Sequence, residues 1–195
     1  MEASGHKPSN DSLEQIKSEV VKCPLCELSK SRKNAVPGEG QVSAKVIFIG
    51  EGPGRHEDEK GQPFAGVAGR ILNKGLEKAG IERSKAFITN IVKCRPPDNR
   101  VPRTEERAAC RPYLDRQISL IAPRIICLLG ATACSSILGK KSITKNRGKI
   151  AKRNGQSYFV MIHPAAAIYS RRLRRLLEHD LRQLSKEIKK IENRG

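Results

Sequence analysis

The sequence predicts a three-layer α/β/α sandwich around a central, mainly parallel four-stranded sheet. Three observations lead there. Four short runs are continuously apolar instead of alternating, the pattern of strands buried on both faces of a parallel sheet: 45–50 (KVIFIG), 86–92 (AFITNIV), 124–130 (RIICLLG) and 157–163 (SYFVMIH). Helix-like segments separate them, and strand–helix alternation implies right-handed crossovers over one sheet. The 195 residues show no internal repeat and no low-complexity linker, so a single domain over 1–195 is expected, with 1–10 as a flexible tail.

In chain order, a helix is expected over 13–21, just before Cys23, and the first strand follows at 45–50. A helix over 67–78 stops at Gly80, which tolerates the left-handed backbone of a helix end. After the second strand, residues 104–121 read as a helix with Thr104 as its cap and Glu105 and Glu106 in the first turn. A short helix over 131–138 follows the third strand. After the fourth, Leu173, Leu176, Leu177, Leu181, Leu184, Ile188 and Ile191 repeat at the spacing of one buried helical stripe.

Composition narrows the function. Lys and Arg total 38 against 20 Asp and Glu, a formal net charge of +18. Residues 140–154 hold Lys140, Lys141, Lys145, Arg147, Lys149, Lys152 and Arg153 and no acid, and Arg171, Arg172, Arg174 and Arg175 form a second cluster. Two such runs favour a polyanion, with nucleic acid ahead of a membrane surface or an acidic protein. Seven aromatic residues (four Phe, three Tyr, no Trp) are too few for an extended base-stacking platform. No stretch approaches the roughly 20 apolar residues of a membrane span, and the polar first 22 residues do not read as a secretory signal. A cytoplasmic protein without membrane attachment is the expectation.

Ligands of open α/β sheets sit at the carboxyl ends of the strands. The first strand runs into Gly50-Glu51-Gly52-Pro53-Gly54, the second holds Asn90 and reaches Cys94, and the fourth delivers His163-Pro164. The third ends in Gly130-Ala131 and reads as structural. The glycine-rich loop lacks the Gly-Lys-Ser/Thr ending of a nucleotide P-loop, so a nucleotide-binding transferase is disfavoured. Phe64 is the one phenylalanine outside a strand run, in a Pro/Gly-framed loop where a ring can stack a planar base. Of four histidines, only His163 stands at a strand end.

Cys127 and Cys134 read as small buried hydrophobes. The other four cysteines, Cys23-x2-Cys26, Cys94 and, after fifteen residues, Cys110, lie beside Pro or basic residues. Positive surroundings favour thiolate, and four thiolates suit tetrahedral zinc or a [4Fe–4S] cluster equally.

Taken together, Gly50 to Gly54, Glu57-Asp58 through Gly66, Ile88-Thr89-Asn90, Lys93-Cys94-Arg95-Pro96-Pro97, Asn99-Arg100 and His163-Pro164-Ala165-Ala166-Ala167 resemble the family 4, iron–sulfur uracil-DNA glycosylases over residues 13–185. The cysteines match that family's order and intervals. One departure is Gly52, where the family often has alanine. A branch that traps its product through a histidine after the second strand is set aside, because none lies between Asn90 and Cys110.

The resemblance implies a repair enzyme that flips uracil from double- or single-stranded DNA, hydrolyses its N-glycosidic bond and leaves an abasic site, and a monomer is expected. It implies a [4Fe–4S] cluster on Cys23, Cys26, Cys94 and Cys110. Uracil would meet Gly50, Glu51, Gly52, Phe64, Asn90 and His163: Phe64 stacks, Asn90 reads the O4/N3 edge, neutral His163 donates to O2, and Glu51 orients water or steadies a cationic sugar. Asp58 is expected to hold its loop. Ile168 or Tyr169 would wedge into the base stack, with Arg171 and Arg172 on phosphates. The competing expectation is a non-catalytic, basic metal-cluster protein that binds DNA.

Overall fold

The computed structural model describes residues 11–140 and 142–192; the tail expected over 1–10 lies outside them, as does Lys141. Strands β1 (Val46–Gly50), β2 (Ala86–Asn90) and β3 (Ile125–Leu129) are buried at every position, which is why they read as unbroken apolar runs. Their neighbours are α1 (Leu13–Lys22), α2 (Leu28–Ser31), α3 (Arg55–Lys60), α4 (Val67–Lys78), α5 (Thr104–Ile121) and α6 (Gly130–Leu138). The remainder is α7 (Ile143–Asn146), β4 (Ile150–Arg153), β5 (Gln156–Met161) and α8 (Arg171–Glu192).

The sheet has five strands in the order β2-β1-β3-β5-β4, not four. The pairs β1–β2, β1–β3 and β3–β5 are parallel, and β4 pairs antiparallel with β5. β4 was hidden inside the basic run. It is an edge strand whose Lys152 and Arg153 stand in water, a common way of protecting a sheet edge from further pairing.

Side chains alternate between two cores. Ile47, Ile49, Ile126 and Leu128 pack on the layer of α1, α5 and α6, with Val20, Leu114 and Cys134. Val46, Phe48, Cys127 and Leu129 pack on α4 and α8, with Leu72, Leu76, Leu177 and Leu181. The α/β/α sandwich is therefore observed, and Cys127 and Cys134 are buried core residues.

Two local details depart from the sequence reading. Thr104 is the first helical residue of α5 and not its cap; Arg103 holds that position, and its amide donates to Glu106 Oε2 at 2.7 Å. Arg100 also clamps Glu106 with two bonds of 2.6 and 2.9 Å, fixing the loop ahead of α5. Arg147, counted among the free cations of the basic run, instead pairs with the fully buried Asp180 of α8 at 2.8 and 3.1 Å.

Candidate active site

The parallel register places Gly50 directly beside Asn90 at the end of the β1–β2 ladder. A side chain on residue 50 would strike Asn90 Oδ1 and come within 3.0 Å of the Phe64 ring, so only glycine lets these two groups close together. Phe64 itself holds a left-handed backbone, φ 54°, which is uncommon for a bulky residue and gathers at functional loops. Gly69, in the first turns of α4, makes room for its carbonyl. The Phe64 and His163 rings lie 5.9 Å apart between centroids, tilted by 33°.

His163 leaves the sheet beyond β5. Its Nδ1 accepts the Ala165 amide at 3.1 Å, which leaves Nε2 to carry the proton of a neutral ring. Burial pushes its pKa down to about 4, with Glu57 opposing, so the imidazole is neutral at physiological pH. Asn90 is only 2% exposed, yet among the described residues its side-chain amide has no hydrogen-bond partner. Such an amide is an open donor–acceptor pair. Glu51, immediately after β1, accepts a hydrogen bond from Thr132 Oγ1.

Glu51, Phe64, Asn90, Thr132 and His163 line one cleft of about 780 Å³ at the carboxyl ends of the strands, whereas Gly50, expected to meet uracil, is not in its lining and packs behind Asn90 and Phe64. Gly52 lies in its wall; Arg100, Val101, Ile168 and Tyr169 form the rim, and Tyr169 is 98% exposed. Arg171 and Arg172 are exposed just beyond, at the start of α8.

Sequence reasoning missed part of the site. The end of β3 is not merely structural: Thr132 holds Glu51, and Gly130, at φ 92°, lies where a side chain would reach His163 Cβ at 2.9 Å. Position alone, three residues past the end of β3, was the available signal for Thr132. Glu57 staples the two site loops, accepting the Gly54 amide at 3.1 Å and the Gly66 amide at 2.8 Å. Its spacing of three from Gly54, that of a residue reaching back to a helix start, marked it. Asp58, expected to hold its own loop, lies in α3 and instead accepts the Lys33 and Asn34 amides at 2.9 and 3.3 Å, tying the segment before β1 to that helix.

Cys23, Cys26, Cys94 and Cys110 surround a second, small pocket between α1, α5 and the chain after β2. The Arg32 guanidinium donates to Cys94 Sγ at 3.0 Å, and the Lys93 amide to Cys110 Sγ at 3.3 Å. Tyr113 lines the same pocket. Donors aimed at sulfur suit thiolate ligands, so the residues fit a metal group. Without one, burial raises the thiol of Cys94 and takes that of Cys110 to about 11.

The sequence model of the uracil DNA glycosylase superfamily matches residues 37–187. The chain is 48% identical over 184 residues to a type-4 uracil-DNA glycosylase of Sulfurisphaera tokodaii, covering 89% of this chain and 84% of that protein. This chain belongs to the uracil-DNA glycosylase superfamily, with the type-4 members. It is also 47% identical over 188 residues to the type-4 uracil-DNA glycosylase of Saccharolobus solfataricus, covering 91% and 87% of the two chains. Against the Thermotoga maritima type-4 uracil-DNA glycosylase it is 44% identical over 183 residues, 91% and 95%. Within this superfamily fold, the cleft just described occupies the end of the sheet where α/β proteins hold their ligands.

Proposed function

We propose that this chain is a monofunctional uracil-DNA glycosylase of base excision repair, and that the strand-end cleft is where it acts. The observation that carries the reading is the convergence of Glu51, Phe64, Asn90 and His163 on one pocket from four separate parts of the chain. A DNA-binding module without chemistry would have no use for that convergence.

Duplex uracil is out of reach of side chains, so the nucleotide must be flipped into the cleft. Phe64 offers its ring face to the flipped base. The Asn90 amide, unpaired in the protein, accepts from N3–H and donates to O4. Cytosine presents the reverse polarity, leaving both partners unsatisfied, a penalty of about 1–3 kcal/mol per buried group. As the N-glycosidic bond breaks, negative charge moves onto the uracil and positive charge onto the sugar. The Nε2–H of neutral His163 donates to O2 of the departing base, and Glu51, steered by Thr132, faces the sugar and its attacking water. These motifs hold no lysine nucleophile, so the product is an abasic site with an intact strand.

Cys23, Cys26, Cys94 and Cys110 would hold a [4Fe–4S] cluster, which supplies a structural clamp between the chain start and the segment after β2. In support, four thiols ring one pocket, and the Arg32 guanidinium and the Lys93 amide are aimed at the sulfurs of Cys94 and Cys110. The substrate is uracil-containing DNA, double- or single-stranded. No described helix is long and apolar enough to cross a membrane. We assign the enzyme to the cell interior, where the genome is, as a monomer whose site is complete within one chain.

The test is a uracil-containing duplex incubated with the protein and then treated with alkali. Breaks at uracil alone, appearing only after alkali, are expected, and Glu51→Ala or Asn90→Ala should slow them by about 10²–10⁴-fold. Tight binding without breaks would overturn the assignment, and breaks before alkali would overturn its monofunctional part.

A further inference from the structure

Lys93 is the one fully buried cation among the described residues, 1% exposed. Its three ammonium hydrogens go to neutral oxygens: Thr89 Oγ1 at 2.5 Å, Gln117 Oε1 at 2.8 Å and the Asn90 carbonyl at 3.0 Å. This cage is itself anchored, because Thr89 Oγ1 and Gln117 Nε2 both donate to the Pro37 carbonyl, at 3.0 and 2.8 Å. No carboxylate takes part. Lys93 also lines the pocket of the four cysteines, beside Cys94 and Cys110.

A buried ammonium without a counter-ion is strongly unfavourable, and neutral oxygens satisfy its hydrogens without cancelling its charge. The four-cysteine pocket removes that difficulty. Four thiolates around an iron–sulfur core leave a net anion, and Lys93 touches this pocket twice: its amide donates to Cys110 Sγ, and its chain neighbour is Cys94. Its other end grips the carbonyl of Asn90, whose side chain faces the cleft. Lys93 therefore stands between the two sites.

We propose that Lys93 is a positioning residue: its ammonium is the counter-charge of the cysteine-bound cluster, and through the Asn90 carbonyl it fixes the strand end from which the Asn90 amide reads uracil. The proposal rests on the assignments of Asn90 to base recognition and of the four cysteines to a cluster.

The test compares Lys93→Met and Thr89→Val with the wild-type holoenzyme, reading excision kinetics on a uracil duplex together with the cluster's midpoint potential by protein-film voltammetry. In Lys93→Met, kcat should fall roughly 10–100-fold, the range for outer-shell partners, with KM for DNA unchanged. The potential should move negative, because a nearby cation favours the more negative reduced cluster. Thr89→Val keeps the charge and removes one anchor, so kcat should fall by a smaller factor while the potential stays in place. An unchanged kcat or an unchanged potential in Lys93→Met overturns the proposal, as does a potential in Thr89→Val that moves equally far. Should Lys93→Met purify without iron, Thr89→Val decides, and wild-type kcat there overturns it. Two controls separate this from its foundations. Full activity in Asn90→Ala, or colourless wild-type protein carrying zinc, sinks the underlying assignments; an inactive Asn90→Ala beside an unaltered Lys93→Met sinks the role of Lys93 alone.

Discussion

At residue 50 the smallest side chain does the most selective work. A methyl group there collides with Asn90 Oδ1 and presses on the Phe64 ring. Displacing two positioning groups by about an ångström at a site of this kind costs about 10²-fold in rate. Gly50→Ala should therefore lose about that much uracil excision while its melting temperature and DNA affinity stay close to wild type. His163 makes a second residue-scale prediction, with a defined sign. Its imidazolium is held at about 4 by burial, against an ordinary 6.5. Between those values the unfolded chain takes up a proton here and the folded chain does not, so stability falls as pH drops through that window and is unaffected above it. In denaturant titrations from pH 7 to pH 4, wild type should lose more stability than His163→Asn. The acid limb that this ring gives to kcat should sit near 4; a limb at 6.5 that disappears in His163→Asn would contradict a neutral donor.

Among the elements, the short turn after His163 and the start of α8 form the lip of the cleft. Tyr169 projects almost wholly into solvent there, whereas Ile168 is half-buried and lines the wall. If the lip fills the stack vacated by the flipped base, Tyr169→Ala should slow excision from duplex DNA about tenfold or more while sparing single strands, since unstacking is worth a few kcal/mol per step. Equal rates on both substrates for Tyr169→Ala and for Ile168→Ala would remove the wedge from the mechanism. Elements with a buried stripe were legible in the sequence: α4 and α5 span the residues expected, and Gly80 ends α4 with φ 68°. β4 was not, because an edge strand keeps its basic side chains in water and shows no apolar run. α3 was not, because its six residues are all polar and it is pinned by Glu57, not by packing. The strand-end residues of the site could be read from position and chemistry. Thr132, Lys93 and Gln117 could not, since their roles depend on partners 24 to 81 positions away.

For the whole molecule, the excess of 18 positive charges dominates encounters with DNA. Binding should weaken steeply with salt, log Kd rising linearly with log salt concentration, and replacing exposed Arg171 and Arg172 by Gln should reduce that slope by about 2. An unchanged slope would place the DNA elsewhere on the surface. Arg147 should contribute nothing to it, because its charge is spent on Asp180 inside the fold.

The strand order has a temporal consequence. β5, the last strand made, inserts between β3 and β4, and the imidazole leaves the sheet directly after it. Any shorter product of synthesis or proteolysis that ends before this insertion lacks the imidazole, the lip of the cleft and the arginines of α8, and leaves β3 and β4 without the strand that joins them. The cleft of this architecture is therefore closed only by the last third of the chain.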